Sequence, residues 1–389
     1  MPLRNTSKRA VLVLLTCGFF TFATNSNSVQ DLITITWDMG KGIPLGSFTL
    51  RFYQLLFASG FILGYFLMRR FFRREGLPDE LLDKLLTYMV ISTIVGARLG
   101  HVFFYQWDYY STHPGDILKV WEGGLASHGA AIAIIIGMYL FSKRETGKST
   151  LYILDKVVVT VALAGCLIRL GNFFNSEIYG QKANSMIETV YTDLPRQAIL
   201  RYWDEEVEDI RFSFEDEYLH SDSISYPIYS MEIDFKKGID ETKTRELVDR
   251  HAYYLNGFPD DDRNILIPLT DRSVAYGLKG TAETGLTASF TAYGIPRHPT
   301  QLIESLGYLL IFALLYSMYQ KGAWKKEGLL FGAFLLTVFG FRFVVEFLKV
   351  VQVDAEKGMN YNLGQSLSIP LVLAGTFFIV RALRKPAAT

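Results

Sequence analysis

Along most of the chain, apolar residues come in blocks of about twenty rather than in short alternating bursts. Seven blocks read as spans of roughly 30 Å of hydrocarbon: residues 47–68, 85–105, 127–141, 151–174, 300–319, 328–350 and 367–383. The third is short unless its start, Gly129-Ala130-Ala131, lies inside the membrane. Between 181 and 290 the pattern changes. Ile224–Tyr229 and Met231–Phe235 alternate as strands do, and Thr242–Leu255 has helical periodicity, with Leu247 and Tyr254 a heptad apart. The pattern predicts an all-α polytopic membrane protein with seven core transmembrane helices and a small α+β insert. Four stretches follow: a signal-like or extra hydrophobic segment (1–28), a membrane body with spans one to four (29–180), the insert (181–290), and a membrane body with spans five to seven (291–389).

Charge sharpens that division. The 39 basic and 39 acidic residues cancel over the whole chain, but residues 181–290 hold 22 Asp/Glu against 12 Lys/Arg, and the rest holds 17 against 27. An acidic soluble insert sits in a basic membrane body, and nothing in this balance favours a nucleic-acid partner. The loop after the first span carries Arg69, Arg70, Arg73 and Arg74. Lys143, Arg144 and Lys148 follow the third span, Lys321, Lys325 and Lys326 the fifth, and Arg384 and Lys385 the last. The positive-inside rule puts these on the cytoplasmic side. The mature N-terminus and the insert are then expected outside, and the C-terminus inside. Arg4, Lys8 and Arg9 before the apolar run 10–23 read as a signal peptide or an extra anchor. Cys17 and Cys166 both lie in apolar segments and suggest neither a disulfide framework nor a Cys-rich metal site.

Ionisable residues inside spans are costly and usually face a bundle interior or a water-filled cavity. Arg98 lies in Gly96-Ala97-Arg98-Leu99-Gly100, and Arg169 opens Arg169-Leu170-Gly171-Asn172-Phe173-Phe174-Asn175-Ser176-Glu177. Arg342 and Glu346, four apart, share a helical face and can pair. Glu304 follows Arg297-His298-Pro299-Thr300-Gln301. Such charges could simply lock helices together. Arg169 with Asn172, Asn175 and Glu177, however, concentrates more polar groups than packing requires, and the planar guanidinium suits phosphate. His128, in a Gly-rich turn where a loop re-enters the membrane, can take a proton near neutral pH, as a thiol nucleophile would require. Tyr53 reads on its own as an interfacial aromatic. A transporter or flippase of an anionic lipid would also use buried arginines beside broken helices. It would be favoured by an internal repeat, and none is found. A non-catalytic scaffold is the third reading.

The run Arg169–Glu177 with Gly180 resembles the signature of the prolipoprotein diacylglyceryl transferase family. The resemblance extends through Gly96–Gly100, Trp121–Gly129, Arg297–Gln301 with Glu304, Phe341–Phe347 and Gly364–Pro370, in order across the membrane body. It implies transfer of diacylglyceryl from phosphatidylglycerol to the lipobox cysteine of a preprolipoprotein in the bacterial inner membrane. The implied products are a thioether and glycerol phosphate, with no metal or organic cofactor. Tyr53, His128, Arg169, Asn172, Glu177, Gly180, Arg342 and Glu346 match residues that the family uses. His128, Arg169, Arg342 and Glu346 are the expected catalytic set. Tyr53, Arg98, Asn172, Asn175, Glu177, Gly180, Arg297, Gln301 and Glu304 are expected to bind substrate. Ala130, Val338 and Ile168 depart from the family pattern, as do the long insert and the N-terminal extension.

Overall fold

The computed structural model describes residues 21–24, 33–46, 48–183, 185–221, 224–350 and 361–384. Its helices are α1 (Phe52–Arg74), α2 (Asp79–Phe104), α3 (Trp107–Thr112), α4 (Ser127–Phe141), α5 (Thr150–Phe174), α6 (Asp193–Tyr202), α7 (Glu241–Asn256), α8 (Thr300–Gln320), α9 (Leu329–Val345) and α10 (Leu363–Arg384). Its strands are β1 (Thr21–Thr24), β2 (Ile33–Trp37), β3 (Gly42–Leu45), β4 (Phe48–Arg51), β5 (Ile187–Tyr191), β6 (Val207–Ser221), β7 (Ile224–Phe235), β8 (Ile265–Leu266), β9 (Tyr276–Thr281) and β10 (Gly285–Gly294). The chain forms two compact units. One gathers Met1–Leu55, Arg169–Glu304 and Val345–Asn360; the other holds Leu56–Ile168, Ser305–Val344 and Tyr361–Thr389.

The second unit is helical. Among the described residues, six helices are long and apolar enough to cross a membrane, against the seven expected: 52–74, 79–104, 150–174, 300–320, 329–348 and 363–384. The stretch expected as the third span is α4, whose 15 residues reach only about 22 Å at 1.5 Å per residue. A π-helical turn, Ser142–Thr146, prolongs it. Helices α2 and α4 meet through glycines. A methyl group on Gly129 would lie 2.3 Å from the Gly96 carbonyl oxygen and 2.6 Å from Gly100 Cα, so only hydrogen fits there. The core runs through Phe71, Phe72, Leu85, Phe141, Ile153 and Leu315. It also encloses a buried ion pair, Lys156 with Glu75 at 3.0 Å. Tyr319 donates to that glutamate at 2.7 Å. Asp155 accepts the amides of Gly328 and Phe331, each at 2.7 Å, and so caps the start of α9.

The first unit carries the sheets. Its larger sheet runs β6-β7-β10-β8, with β9 also pairing β10, all antiparallel. Every second residue of β7 is buried, from Ser225 to Phe235, as a half-covered pleat requires. Helix α7 covers this face with Leu247, Val248, His251, Ala252 and Leu255. Its start is capped by Asp240, whose side chain accepts the Lys243 amide at 2.7 Å. A smaller sheet, β1-β2-β5, pairs β2 with β5 in parallel, so the insert is completed by a strand from near the start of the chain. Of the signal-like segment 1–28, Thr21–Thr24 forms β1 against β2, and the remainder lies outside the described residues.

Candidate active site

The polar signature begins in the last turns of α5, and from Arg169 onward it belongs to the first unit. Arg169 and Asn172, three apart, share a helical face. Arg169 Nη1 donates to Asn172 Oδ1 at 3.3 Å, and Asn172 Nδ2 donates to Glu177 Oε1 at 2.7 Å. Asn175 Nδ2 reaches the same oxygen at 3.3 Å. Arg169 Nε lies 3.1 Å from Glu304 Oε2, with 14% of the arginine side chain still exposed. Among the described residues its Nη2 forms no hydrogen bond. The guanidinium is therefore oriented from one side by a carboxylate and an amide, and open on the other.

Backbone strain shapes the turn that follows. Ser176 (φ 54°) and Ile178 (φ 58°) are both left-handed, which costs an L-residue roughly 1–2 kcal/mol each. The start of α8 holds this turn in place. Gln301 Nε2 donates to the Glu177 carbonyl at 2.8 Å and Thr300 Oγ1 to that of Ile178 at 3.0 Å. Tyr191 in turn donates to Gln301 Oε1 at 3.0 Å. Ser176 donates to Asp193 at 2.8 Å, and burial pushes that carboxyl up to about 7. Gly180 follows, pinched between two backbones. A methyl there would lie 2.6 Å from the His298 carbonyl oxygen and 2.9 Å from that of Leu348.

Arg297 is fully buried and directs most of its donors to peptide oxygens, Asp261 at 2.6 Å, Arg263 at 2.7 Å and Gly180 at 3.3 Å, while its Nε donates to Asn264 Oδ1 at 3.3 Å. It also lies over the Tyr179 ring at 4.6 Å. In this arrangement it staples the 261–264 loop to the signature turn. The Tyr53 ring packs against Gly171.

A family model described as prolipoprotein diacylglyceryl transferase matches residues 42–381, nearly the whole of this structure. The chain belongs to the prolipoprotein diacylglyceryl transferase family. Relatives named phosphatidylglycerol–prolipoprotein diacylglyceryl transferase include those of Tolumonas auensis (33% identical over 345 residues, 89% of this chain and 96% of the relative) and Porphyromonas gingivalis (34% over 360 residues, 90% and 96%). That of Chloroherpeton thalassium is 31% identical over 353 residues, covering 90% and 95%.

Of the remaining residues of the family resemblance, Arg98, His128 and Arg342 belong to the second unit. Arg98 is 3% exposed and donates to the carbonyls of Asp116 (2.6 Å), Gly123 (2.6 Å) and Ile117 (2.8 Å), with Tyr110 under its guanidinium at 5.0 Å. It pegs the loop before α4. His128, near the start of α4, is exposed, its ring against Phe104 at 5.0 Å and Tyr105 at 5.6 Å. Arg342 is half-buried in the last turn of α9, and Glu346 opens the 3-10 turn that follows, in the first unit. One buried cation beside Glu304 was not anticipated from sequence. Lys349 is buried with its Nζ 2.9 Å from Glu304 Oε1 and 3.2 Å from Glu346 Oε2. The only signal for it was the three-residue spacing from Glu346.

Proposed function

We propose that this chain is an inner-membrane transferase that moves the diacylglyceryl group of phosphatidylglycerol onto the lipobox cysteine of a prolipoprotein. The bond between the glyceryl carbon and the phosphate oxygen breaks, a sulfur–carbon thioether forms, and glycerol phosphate leaves with the electron pair. The thiol proton passes to a base. One observation carries this reading: within a family so named, Arg169 is oriented by Glu304 and Asn172 and keeps an open edge. A guanidinium held in this way binds a phosphate diester and offsets the charge that grows on it as it departs. The family resemblance adds Arg342 and Glu346 to the expected catalytic residues, and His128 as the base for the thiol.

The expected topology belongs to this reading. Helix α4 with its π turn serves as a seventh crossing, the mature N-terminus and residues 181–290 face outward, and the C-terminus lies inside. The test is incubation of the purified protein with phosphatidylglycerol vesicles and a synthetic lipobox peptide. A mass gain of one diacylglyceryl unit on the cysteine is expected, and its absence with intact protein would overturn the proposal.

A further inference from the structure

We infer that Lys349 is a positioning residue that keeps Arg169 available to the substrate phosphate. This rests on the reading of Arg169 given above. Glu304 is completely buried and stands between two cations. Its Oε1 is taken by Lys349 at 2.9 Å, and its Oε2 lies 3.1 Å from Arg169 Nε without hydrogen-bond geometry. A carboxylate with both oxygens free would close on a guanidinium as a two-bond fork. Lys349 prevents that by holding one oxygen, so the contact to Arg169 stays single and Coulombic. Nη1 is then left to Asn172, and the outer edge to a ligand.

Lys349 is fixed well enough to do this. Gln181 donates its backbone amide to the Leu348 carbonyl at 2.8 Å and its side-chain amide to the Lys349 carbonyl at 3.0 Å. Lys349 also bridges Gly180 in antiparallel fashion. The strap 346–349 is thus sewn to the end of the signature turn, and its lysine reaches back to the carboxylate behind Arg169. Lysine suits this place because it is a point charge with three donors, able to hold Glu304 and Glu346 together.

The experiment compares Lys349→Met, Lys349→Arg and the double variant Lys349→Met/Glu304→Gln in the full-length protein. Transfer from phosphatidylglycerol to a lipobox peptide is followed alongside phenylglyoxal modification of Arg169, read by peptide mass spectrometry. In Lys349→Met, Glu304 clamps Arg169. We expect kcat to fall about 10²-fold, the cost of a misplaced catalytic group, with KM little changed and Arg169 labelling lost. Lys349→Arg restores both readouts, and the double variant restores labelling and part of kcat. Unchanged kcat and labelling in Lys349→Met would overturn the inference. So would equal losses in all three variants, which would make Lys349 a mere strap. If the unaltered protein shows no transfer, the proposed activity fails, while the labelling series still decides how Lys349 acts on Arg169.

Discussion

Arg98 and Arg169 both stand near the end of a long apolar helix, and both are largely withdrawn from solvent, yet their surroundings are opposite. Arg98 is enclosed by peptide carbonyls of the loop before α4, each a neutral acceptor that its fork fills. Arg169 faces a carboxylate and an amide oxygen and retains an exposed edge. A guanidinium saturated by backbone fixes a chain segment, whereas one oriented by side chains on one flank is prepared for an anion on the other. Arg297, held by the carbonyls of Asp261, Arg263 and Gly180 and by the Asn264 amide oxygen, with no carboxylate bonded to it among the described residues, stands nearer to Arg98. The type of acceptor, rather than depth in the structure, separates the two uses.

The contrast is open to direct attack, and the largest effect is expected at Arg169. Arg169→Lys keeps the charge but loses the fork, so kcat should fall about 10²–10³-fold while the melting temperature in detergent stays level. A variant that retains activity would remove the two-point phosphate contact. At Arg98 the pattern should invert. Arg98→Met leaves several carbonyls without partners, at roughly 1–3 kcal/mol for each that stays buried. Faster amide hydrogen exchange across 107–126 and a lower melting temperature are expected, with the kcat of the folded fraction preserved. A catalytic defect in fully folded Arg98→Met would abolish the distinction.

The smallest effect concerns pH and the sheet-bearing unit. His251 is buried between Trp203 and Phe235 with neither ring nitrogen hydrogen-bonded, and burial pulls it down to about 4. The unfolded chain takes up this proton near pH 6.5, so the stability His251 contributes is complete above that value. It is lost as pH falls toward 4, by on the order of 3 kcal/mol. Glu188, pushed up to about 7 by burial, acts in the other direction and lowers stability as pH rises from 4.5 toward 7. His251→Leu should flatten the acid side of the stability curve, measured by denaturant melts between pH 4 and 7, and leave kcat unchanged. An acid limb identical to that of the unaltered protein would show that His251 does not set it.

What could be read in advance follows from which forces leave a periodic trace. Apolar blocks announced the long helices, and alternation announced β7, because burial of one face repeats with the pitch of the element. Helix α7 was legible for the same reason, to within a residue at each end. Strand β2 was not. Its five residues, ITITW, are too short to stand out beside a span, and their partner Ile187–Tyr191 lies far along the chain. The polar signature around Arg169 was visible as a density of amides and charges. The acceptors that divide Arg98 and Arg297 from it are chiefly peptide oxygens, which carry no residue identity. Lys349 escaped because it stands at the last turn of the sixth expected span, where a cation can reach the interface, and its partner Glu304 lies on another helix.

The parallel pairing of β2 with β5 bears on how the protein is made. Ile33 meets Ile187, so about 150 residues, including the whole of α1 to α5, separate two strands that lie side by side. At 5–20 residues per second, the earlier strand waits roughly 10–30 s for its neighbour to leave the ribosome. Until then its edge is unpaired and its apolar face uncovered, the condition in which chains aggregate. The unit that carries Arg169 thus cannot close before chain beyond residue 190 arrives, and the surroundings of Arg169 are assembled after that point.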